Sequence, residues 1–257
     1  MRFGDDVDAY LRGDAISDRQ KFRLVRSDSP FDATVWDRIR LLEAMLRGKR
    51  VIHVGCVDHS AKQIRRKWQQ GGWLHARIDA VAQRCLGVDI DAVGVDFIRR
   101  EMGYKDVYCM DLLRDEAQEI HSAHWDVLLL GEVVEHLDDP VAFLSGLRER
   151  YAHCVDQLLI TVPNAFRFGN LRLVWSNAER INTDHRYWFT PYTIAKVLHR
   201  AGYTMREFYL VTFIPLSSKK RLKPRVWLES LCNRRFPLSR DTIVIRCAIP
   251  KPSAVGE

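Results

Sequence analysis

Two glutamates and a histidine lie within five residues of one another in the segment GEVVEHLDDP, residues 131–140. This segment directly follows the apolar run WDVLLL, residues 125–130, which is typical of a buried strand. Carboxylates can bind a cation, and an imidazole can accept a proton near neutral pH. Glu132, Glu135 and His136 are therefore the first candidates for chemistry, provided that the fold places them beside a ligand.

The composition is that of a folded α/β protein. The chain has 257 residues, of which 47% are hydrophobic and 28% charged, enough to bury the core of one domain with appendages. This composition excludes disordered and fibrous classes. Because the sequence contains no long apolar run and no signal-peptide pattern at its N-terminus, we expect no transmembrane segment and a cytoplasmic location. The six cysteines form no CxxC pair and are expected to be free thiols.

Short apolar runs alternate with helical segments from Arg50 onward. They occupy residues 50–55, 84–90, 106–111, 125–131 and 157–164. This alternation predicts βαβ units, in which helices cover both faces of a parallel sheet. Two more runs, near 206–213 and 242–247, predict an antiparallel hairpin with a long insertion. Residues 1–48 are polar and end in a predicted helix at 34–46, so we interpret them as a helical N-terminal extension.

The predicted strand ends carry residues that suit a nucleoside. In a parallel sheet, ligands bind beyond the carboxyl ends of the strands, where the strand order reverses. Gly55 follows the first run and would let a ligand approach the backbone. Asp89 ends the second run, where its carboxylate can accept both ribose hydroxyls, and Asp111 ends the third, where it can meet an adenine amino group. A nicotinamide dehydrogenase fits poorly, because GxGxxG is absent and Asp89 lies 34 residues beyond Gly55.

The order of these motifs resembles that of the class I S-adenosylmethionine-dependent methyltransferases, in particular the group with EHL.dP after the fourth strand and PN after the fifth. The resemblance extends from Arg50 to Cys247 and rests on VIHVGCVDH, LGVDID, CMDLL, WDVLLLGEVVEHLDDP, LLITVPN and DHRYWFTPYTIAKVLHRAGY. It implies a doubly wound, Rossmann-like α-β-α sandwich whose seven-stranded sheet is mostly parallel and has an antiparallel last strand. The domain would span 49–250, with a substrate lid at 164–190 and a basic insertion at 217–240.

The resemblance implies S-adenosylmethionine as cofactor. Gly55 would contact its methionine part, Asp89 the ribose and Asp111 the adenine. Further residues expected at the cofactor are Cys56, Ile90, Leu112 and Glu132. The first motif departs from the (D/E)xGxGxG pattern of the family, since His53 replaces the acid and no further glycine follows Gly55 in VDHS. This departure bears on the affinity for the cofactor.

The ExxEH sequence also resembles the divalent-cation motif of ubiquinone-pathway O-methyltransferases and small-RNA terminal 2′-O-methyltransferases. The RNA enzymes take a second histidine from beyond the fifth strand, and His185 in TDHRYWFT has a comparable place. Glu132, Glu135, His136 and His185 could hold Mg²⁺ or another divalent ion that acidifies the acceptor hydroxyl. Without a metal, His136 or His185 could act as the general base. In a plainer interpretation, Glu132 touches the cofactor while Glu135 and His136 orient the next helix.

The predicted activity is methylation of a hydroxyl on a small molecule or a glycan, with Glu132, His136 and His185 as catalytic candidates. An RNA 2′-O-methyltransferase and a non-catalytic scaffold protein remain alternatives. Residues 217–240 contain eight Lys and Arg against one acid, which accounts for the net charge of +7. This segment could meet an anionic substrate, such as a nucleotide-linked sugar, a lipid-linked glycan or RNA, or an anionic membrane.

Asn164 is either a turn residue or an acceptor contact. The predicted lid is rich in aromatic residues: Phe166, Phe168, Trp175, Tyr187, Trp188 and Phe189.

Overall fold

A seven-stranded sheet forms the centre of the protein. The computed structural model describes residues 1–3, 7–25, 29, 31, 37–58, 60–212 and 224–251, without the side chains of 224–226. The strands are β1 (Arg2–Phe3), β2 (Leu24–Val25), β3 (Arg50–Val54), β4 (Arg84–Asp89), β5 (Val107–Cys109), β6 (Trp125–Gly131), β7 (Val155–Pro163), β8 (Thr204–Val211) and β9 (Thr242–Ala248).

The order of the large sheet is β5-β4-β3-β6-β7-β9-β8. Strands β5, β4, β3, β6 and β7 are mutually parallel, whereas β9 is antiparallel to both of its neighbours. The chain therefore adds strands on one side of β3 and then on the other. The reversal lies between β3 and β6, whose carboxyl ends leave a crevice. This architecture confirms the predicted α/β fold with seven strands and an antiparallel last strand.

Helices cover the faces of this sheet. They are α1 (Val7–Arg12), α2 (Arg38–Leu46), α3 (Ala61–Gln69), α4 (Leu74–Asp79), α5 (Ala92–Glu101), α6 (Gln118–His121), α7 (Pro140–Tyr151), α8 (Phe168–Val174), α9 (Pro191–Arg200) and α10 (Pro224–Arg235). Helices α7 and α9 each begin with a side-chain cap. Asp139 accepts the Ala142 amide ahead of Pro140, and Thr190 forms a capping box with Thr193 at the start of α9. None of the described helices is long and apolar enough to cross a membrane.

The N-terminal residues pack onto the sheet. Phe3 and Leu11 are buried in the larger core cluster, and Leu42 of α2 is buried in a second cluster on the opposite face. Within the N-terminal residues, strands β1 and β2 form a two-stranded antiparallel sheet, which the sequence did not indicate. Helix α2 begins at Arg38 in the described chain, whereas 34–36 of the predicted helix lie outside the described residues. All six cysteines are free thiols.

The basic insertion is partly helical. Residues 213–223 lie outside the described chain, α10 follows, and a short 3-10 turn at Pro237–Ser239 leads into β9. Arg240 was predicted to belong to an anion-binding segment, but it is only 9% exposed. Its guanidinium donates hydrogen bonds to the carbonyls of Leu210 and Asn233. Arg240 therefore anchors the insertion to β8 and is not available to an anion.

Candidate functional site

A cleft of about 550 Å³ lies at the carboxyl ends of β3, β4 and β6, where the strand order reverses. Seven of the predicted site residues line it: Gly55, Cys56, Asp89, Ile90, Glu132, His136 and His185. They meet because the carboxyl ends of parallel strands share one edge of the sheet. Strand ends and residues of the segment 164–190 thus line one crevice.

Gly55 allows the turn after β3 to approach the turn after β6. Its φ is +74°, in the left-handed region that favours glycine. A Cβ at this position would lie 2.7 Å from Cγ2 of Val133. The Gly55 amide donates to the Val88 carbonyl at 2.9 Å, which fixes the turn against β4. Any side chain at residue 55 would push the two walls of the cleft apart.

Asp89 presents a carboxylate at the end of β4. One oxygen accepts the Val57 amide at 2.8 Å and the other accepts the Asp91 amide at 3.0 Å. A carboxylate has about four lone-pair sites, so acceptor capacity remains for a ligand. Burial raises the pKa of Asp89, and the hydrogen bonds from the amides oppose that shift. The next residue, Ile90, is 78% exposed and offers an apolar face beside the carboxylate.

Asp111 and Leu112 were predicted to contact the cofactor, but they are not among the residues that line the cleft. Asp111 accepts the Leu113 amide at 2.9 Å and lies 3.5 Å from the Arg114 guanidinium. Leu112 is buried, and its carbonyl accepts a hydrogen bond from the Tyr151 hydroxyl. Both residues thus have structural contacts after β5, and their contact with a cofactor stays a prediction.

A buried histidine pair lies beneath the cleft. Nδ1 of His53 is 3.1 Å from Nδ1 of His75, so one of the two atoms carries the shared hydrogen. Burial lowers the pKa of His53 well below its usual value and lowers that of His75 to about 4, which keeps both rings neutral at pH 7. Nε2 of His53 is buried and has no hydrogen-bond partner in the described part of the chain. This atom lies below Gly131, close to where a Cβ of that residue would be.

Glu132 has an unusual backbone conformation. Its φ is +62°, which costs an ordinary side chain about 1–2 kcal/mol and is found often at functional sites. Its amide donates to the Thr161 carbonyl, and one carboxylate oxygen lies 3.3 Å from Nη1 of Arg38. Arg38 reaches the cleft from α2. This contact could not be predicted from the sequence, because no local pattern links α2 to the end of β6.

Glu135 is a fully buried carboxyl group in the short 3-10 turn Val134–His136. Neither of its oxygens has a hydrogen-bond partner among the described residues. Burial, assisted by the charge of Glu132, raises the pKa of Glu135 to about 8. An unsatisfied buried carboxyl group is costly, so its environment requires either a proton or a cation.

Two histidines complete a group around Glu135. Donor atoms of Glu135, His136 and His185 all lie within 4.8 Å of one another, and the two imidazole rings meet edge to face at 4.6 Å. Nδ1 of His136 is 2.7 Å from a carboxylate oxygen of Asp184. The Arg186 amide donates to the Glu135 carbonyl at 2.8 Å and so ties the lid to this turn. Glu132, the fourth predicted ligand, lines the same cleft but does not belong to this close group.

Asn164 makes hydrogen bonds to the backbone of other segments through its side chain. It is fully buried, its amide nitrogen donates to the carbonyls of Leu238 and Arg240, and its oxygen accepts the Phe166 amide. Through these hydrogen bonds, the Asn164 side chain connects the end of β7 to the insertion before β9. Of its two predicted roles, the structure supports that of the turn residue.

Comparison with known proteins identifies the fold. No family model and no curated protein sequence matches the chain. Among solved structures, a candidate methyltransferase from Bacillus halodurans has a TM-score of 0.51 at 15% identity, over 83% of this chain and 99% of that one. This chain has the fold of the S-adenosylmethionine-dependent methyltransferases. A candidate methyltransferase from Haloferax volcanii, solved with its activator Trm112, has a TM-score of 0.50 at 14% identity, over 83% and 88% of the two chains.

The small-RNA methyltransferase HEN1 shares the methyltransferase fold. It has a TM-score of 0.50 at 14% identity, over 90% of this chain but only 28% of HEN1. Within this fold, sequence reasoning found the strand-end residues but missed several residues in or beneath the cleft. Arg38 and His75 had no local signal, whereas Asp184 stands beside His185 in the TDHRYWFT motif and could have been found there.

Proposed function

We propose that the protein is an S-adenosylmethionine-dependent methyltransferase that methylates a hydroxyl oxygen of a small molecule or a glycan. The observation that carries this proposal is the cleft at the strand reversal. It brings the Gly55 turn and the Asp89 carboxylate into one crevice with His136 and His185, whose donor atoms lie within 4.8 Å of the buried Glu135 carboxyl group. A nucleoside site and a group for proton removal are what methyl transfer to oxygen requires.

The cofactor would bind along β3 and β4. Asp89 has free lone pairs for the ribose hydroxyls, and exposed Ile90 can pack against a purine ring. The Gly55 turn leaves room for the methionine part. His53 can receive the ammonium group of the cofactor on Nε2, in the tautomer whose Nδ1 carries the hydrogen shared with His75. A neutral imidazole would thus stand where the related family has an acid.

The transfer itself is an in-line displacement. A bond forms between the acceptor oxygen and the methyl carbon, while the bond from that carbon to sulfur breaks and leaves neutral S-adenosylhomocysteine. The positive charge of the sulfonium disappears, so the protein contributes mainly by positioning and by excluding water. Without a bound cation, the acceptor proton passes to Nε2 of His136, because Asp184 holds the hydrogen of that ring on Nδ1.

A divalent cation fits the same group. Glu135, His136 and His185 offer one carboxylate and two imidazoles, with Glu132 beside them, and the carboxyl oxygens of Glu135 have no partner of their own in the described chain. This mixed set of oxygen and nitrogen donors suits Mn²⁺ or Zn²⁺, whereas Mg²⁺ would have to bind mainly through the carboxylates and water. When bound, such an ion would lower the pKa of the acceptor hydroxyl.

The proposal is tested by calorimetric titration of the purified protein with S-adenosylhomocysteine, which requires no knowledge of the acceptor. We expect saturable binding in the micromolar range, and an acceptor screen would follow. A folded protein that binds neither S-adenosylhomocysteine nor S-adenosylmethionine, with or without Mg²⁺, would instead be a non-catalytic protein on a methyltransferase fold.

Replacing Glu135 with Gln is expected to weaken Mn²⁺ binding by at least about 10-fold, because glutamine cannot lose a proton to supply an anionic oxygen ligand, although it keeps the size of the side chain. The measurement is titration of the apoprotein with Mn²⁺, followed by the paramagnetic relaxation of water. Glu149→Gln, an exposed position on α7, is the matched control and should bind as the wild type does. Equal affinity in Glu135→Gln and the wild type would exclude Glu135 as a ligand.

RNA is a second candidate acceptor, favoured by the close Glu135–His136–His185 group. The ribose 2′-hydroxyl at an RNA terminus is an acceptor for the same chemistry. Methyl transfer from labelled S-adenosylmethionine to a short RNA duplex, compared with the same RNA carrying a terminal 2′-deoxynucleotide, would distinguish it. Incorporation into the first RNA only would support this candidate.

A further inference from the structure

Helices α8 and α10 lie against each other and expose large apolar side chains to water. Trp175 at the end of α8 is 80% exposed, and Trp227 on α10 is 63% exposed. We call the following set the α8–α10 surface: Leu171, Val174, Trp175, Trp227, Leu228, Leu231, Phe236 and Leu238. Scattered exposed apolar residues are ordinary, but a cluster on two adjacent helices indicates an interaction site.

The same part of the chain carries the excess positive charge of the protein. Residues 217–240 contain eight Lys and Arg and one acid, although Arg240 is buried. Arg234 and Arg235 are exposed in the last turn of α10, and the Arg235 guanidinium lies 5.3 Å from the centre of the Phe236 ring. Basic and apolar side chains are therefore interleaved along this helix.

We infer that the α8–α10 surface binds an anionic lipid bilayer. Tryptophan, phenylalanine and leucine on a helix next to clustered cations are the side chains that enter the boundary between head groups and acyl chains. The clustered cations are attracted to the negative surface potential of anionic lipids. Nucleic acid would use the cations but would leave most of the apolar side chains in water.

The surface borders a second pocket of about 650 Å³. Phe166, just before α8, and Leu238, just after α10, line this pocket together with Phe22 and Tyr192, whose rings stack at 4.7 Å. A bilayer on the surface would therefore lie next to an aromatic pocket.

The test is co-sedimentation of the full chain with vesicles of phosphatidylcholine alone and of phosphatidylcholine with phosphatidylglycerol. We expect binding to the anionic vesicles, weakened by salt, and little binding to the neutral ones. Changing Arg234 and Arg235 together to Gln should lower the affinity on the order of 25-fold, since each cation near such a surface contributes about 5-fold. Absence of wild-type binding at low salt would overturn the proposal.

Two substitutions separate insertion from simple charge attraction. The double variant Trp227→Ser, Leu231→Ser should bind anionic vesicles at least about 10-fold more weakly. Trp68→Ser, an exposed tryptophan on α3, should bind as the wild type does. Far-ultraviolet circular dichroism checks that each variant is folded. Equal binding of the double variant and the wild type would overturn the proposal.

Quenching by brominated lipids provides an independent readout. Tryptophan fluorescence should be quenched when the wild type binds anionic vesicles that contain brominated acyl chains. The variant Trp175→Phe, Trp227→Phe should lose most of this quenching while still sedimenting. Tight, salt-dependent binding to RNA combined with no quenching by the vesicles would assign the surface to nucleic acid and overturn the proposal.

Discussion

Acidification from pH 6.5 to pH 4 is expected to cost the wild-type protein about 3 kcal/mol more stability than it costs a His75→Asn variant. Burial lowers the pKa of His75 from 6.5 to about 4 in the folded state, against a smaller opposing effect of Asp106. In this window the unfolded chain binds a proton that the folded chain does not, so stability falls as the pH falls. Asparagine retains a polar atom near the position of Nδ1, which can bond to His53.

Two other titratable groups, His53 and Glu135, also make the stability depend on pH. The lowered pKa of His53, set by burial and by the charges of His75 and Arg38, acts in the same direction. Glu135 acts in the opposite direction between pH 4.5 and pH 8, since its folded pKa of about 8 lies above 4.5. Because Glu135 is present in both proteins, its contribution cancels in the comparison.

The measurement is urea unfolding at pH 6.5, 5.5 and 4 for the wild type, His75→Asn and His199→Gln, a histidine on α9 outside the pair. We expect parallel pH profiles for the wild type and His199→Gln and a flatter profile for His75→Asn. If all three profiles coincide, His75 accepts a proton in the folded state, and the floor of the cleft is not the dry environment that its burial indicates.

The histidine pair also offers a physical reason why the first motif has His53 where the related family has an acid. An acid at residue 53 would bury a charge, whereas a neutral imidazole held by His75 supplies a polar atom at the same point without that charge. Nε2 of His53 is then the group that a cofactor ammonium would meet. The sequence showed the substitution but not its partner, because His75 lies on α4, a helix with no recognisable motif.

The large sheet could be predicted from the sequence because its strands are nearly continuous apolar runs, as expected for parallel strands buried on both faces. The β8–β9 hairpin followed from two further runs. The β1–β2 pair could not be predicted, because two residues per strand show no periodicity. Helix α8 was likewise not predicted. It lies within the segment interpreted as a lid, and its exposed apolar residues do not form the one-sided apolar stripe that is typical of a surface helix.

The candidate site was predictable where residues sit at strand ends and unpredictable where contacts cross the chain. Gly55, Asp89 and Glu132 meet because parallel strands share a carboxyl edge. The ion pair of Arg38 with Glu132 depends on how α2 packs against β7. No local sequence pattern predicts this packing. Asp111 lies two residues beyond the end of β5, where its carboxylate accepts the Leu113 amide, and its contact with a cofactor stays a prediction.

Replacing Asp89 with Ala is expected to weaken the binding of S-adenosylhomocysteine by about 10- to 100-fold. A hydrogen bond to a charged group contributes about 1.5–3 kcal/mol, and the substitution removes the carboxylate that would accept the ribose hydroxyls. The measurement is calorimetric titration of both proteins under the same conditions. Asp96→Ala, an exposed position on α5 outside the cleft lining, is the matched control and should bind with wild-type affinity.

Asp89 also holds the amides of Val57 and Asp91, so the loss of affinity could arise from a displaced turn instead of a lost ribose contact. A ligand analogue without the two ribose hydroxyls separates these causes. If the carboxylate binds the ribose, the analogue binds the wild type 10- to 100-fold more weakly than the natural ligand does, and Asp89→Ala binds both ligands about equally. If Asp89→Ala still prefers the natural ligand by the wild-type factor, Asp89 supports the turn and the ribose is recognised by another group.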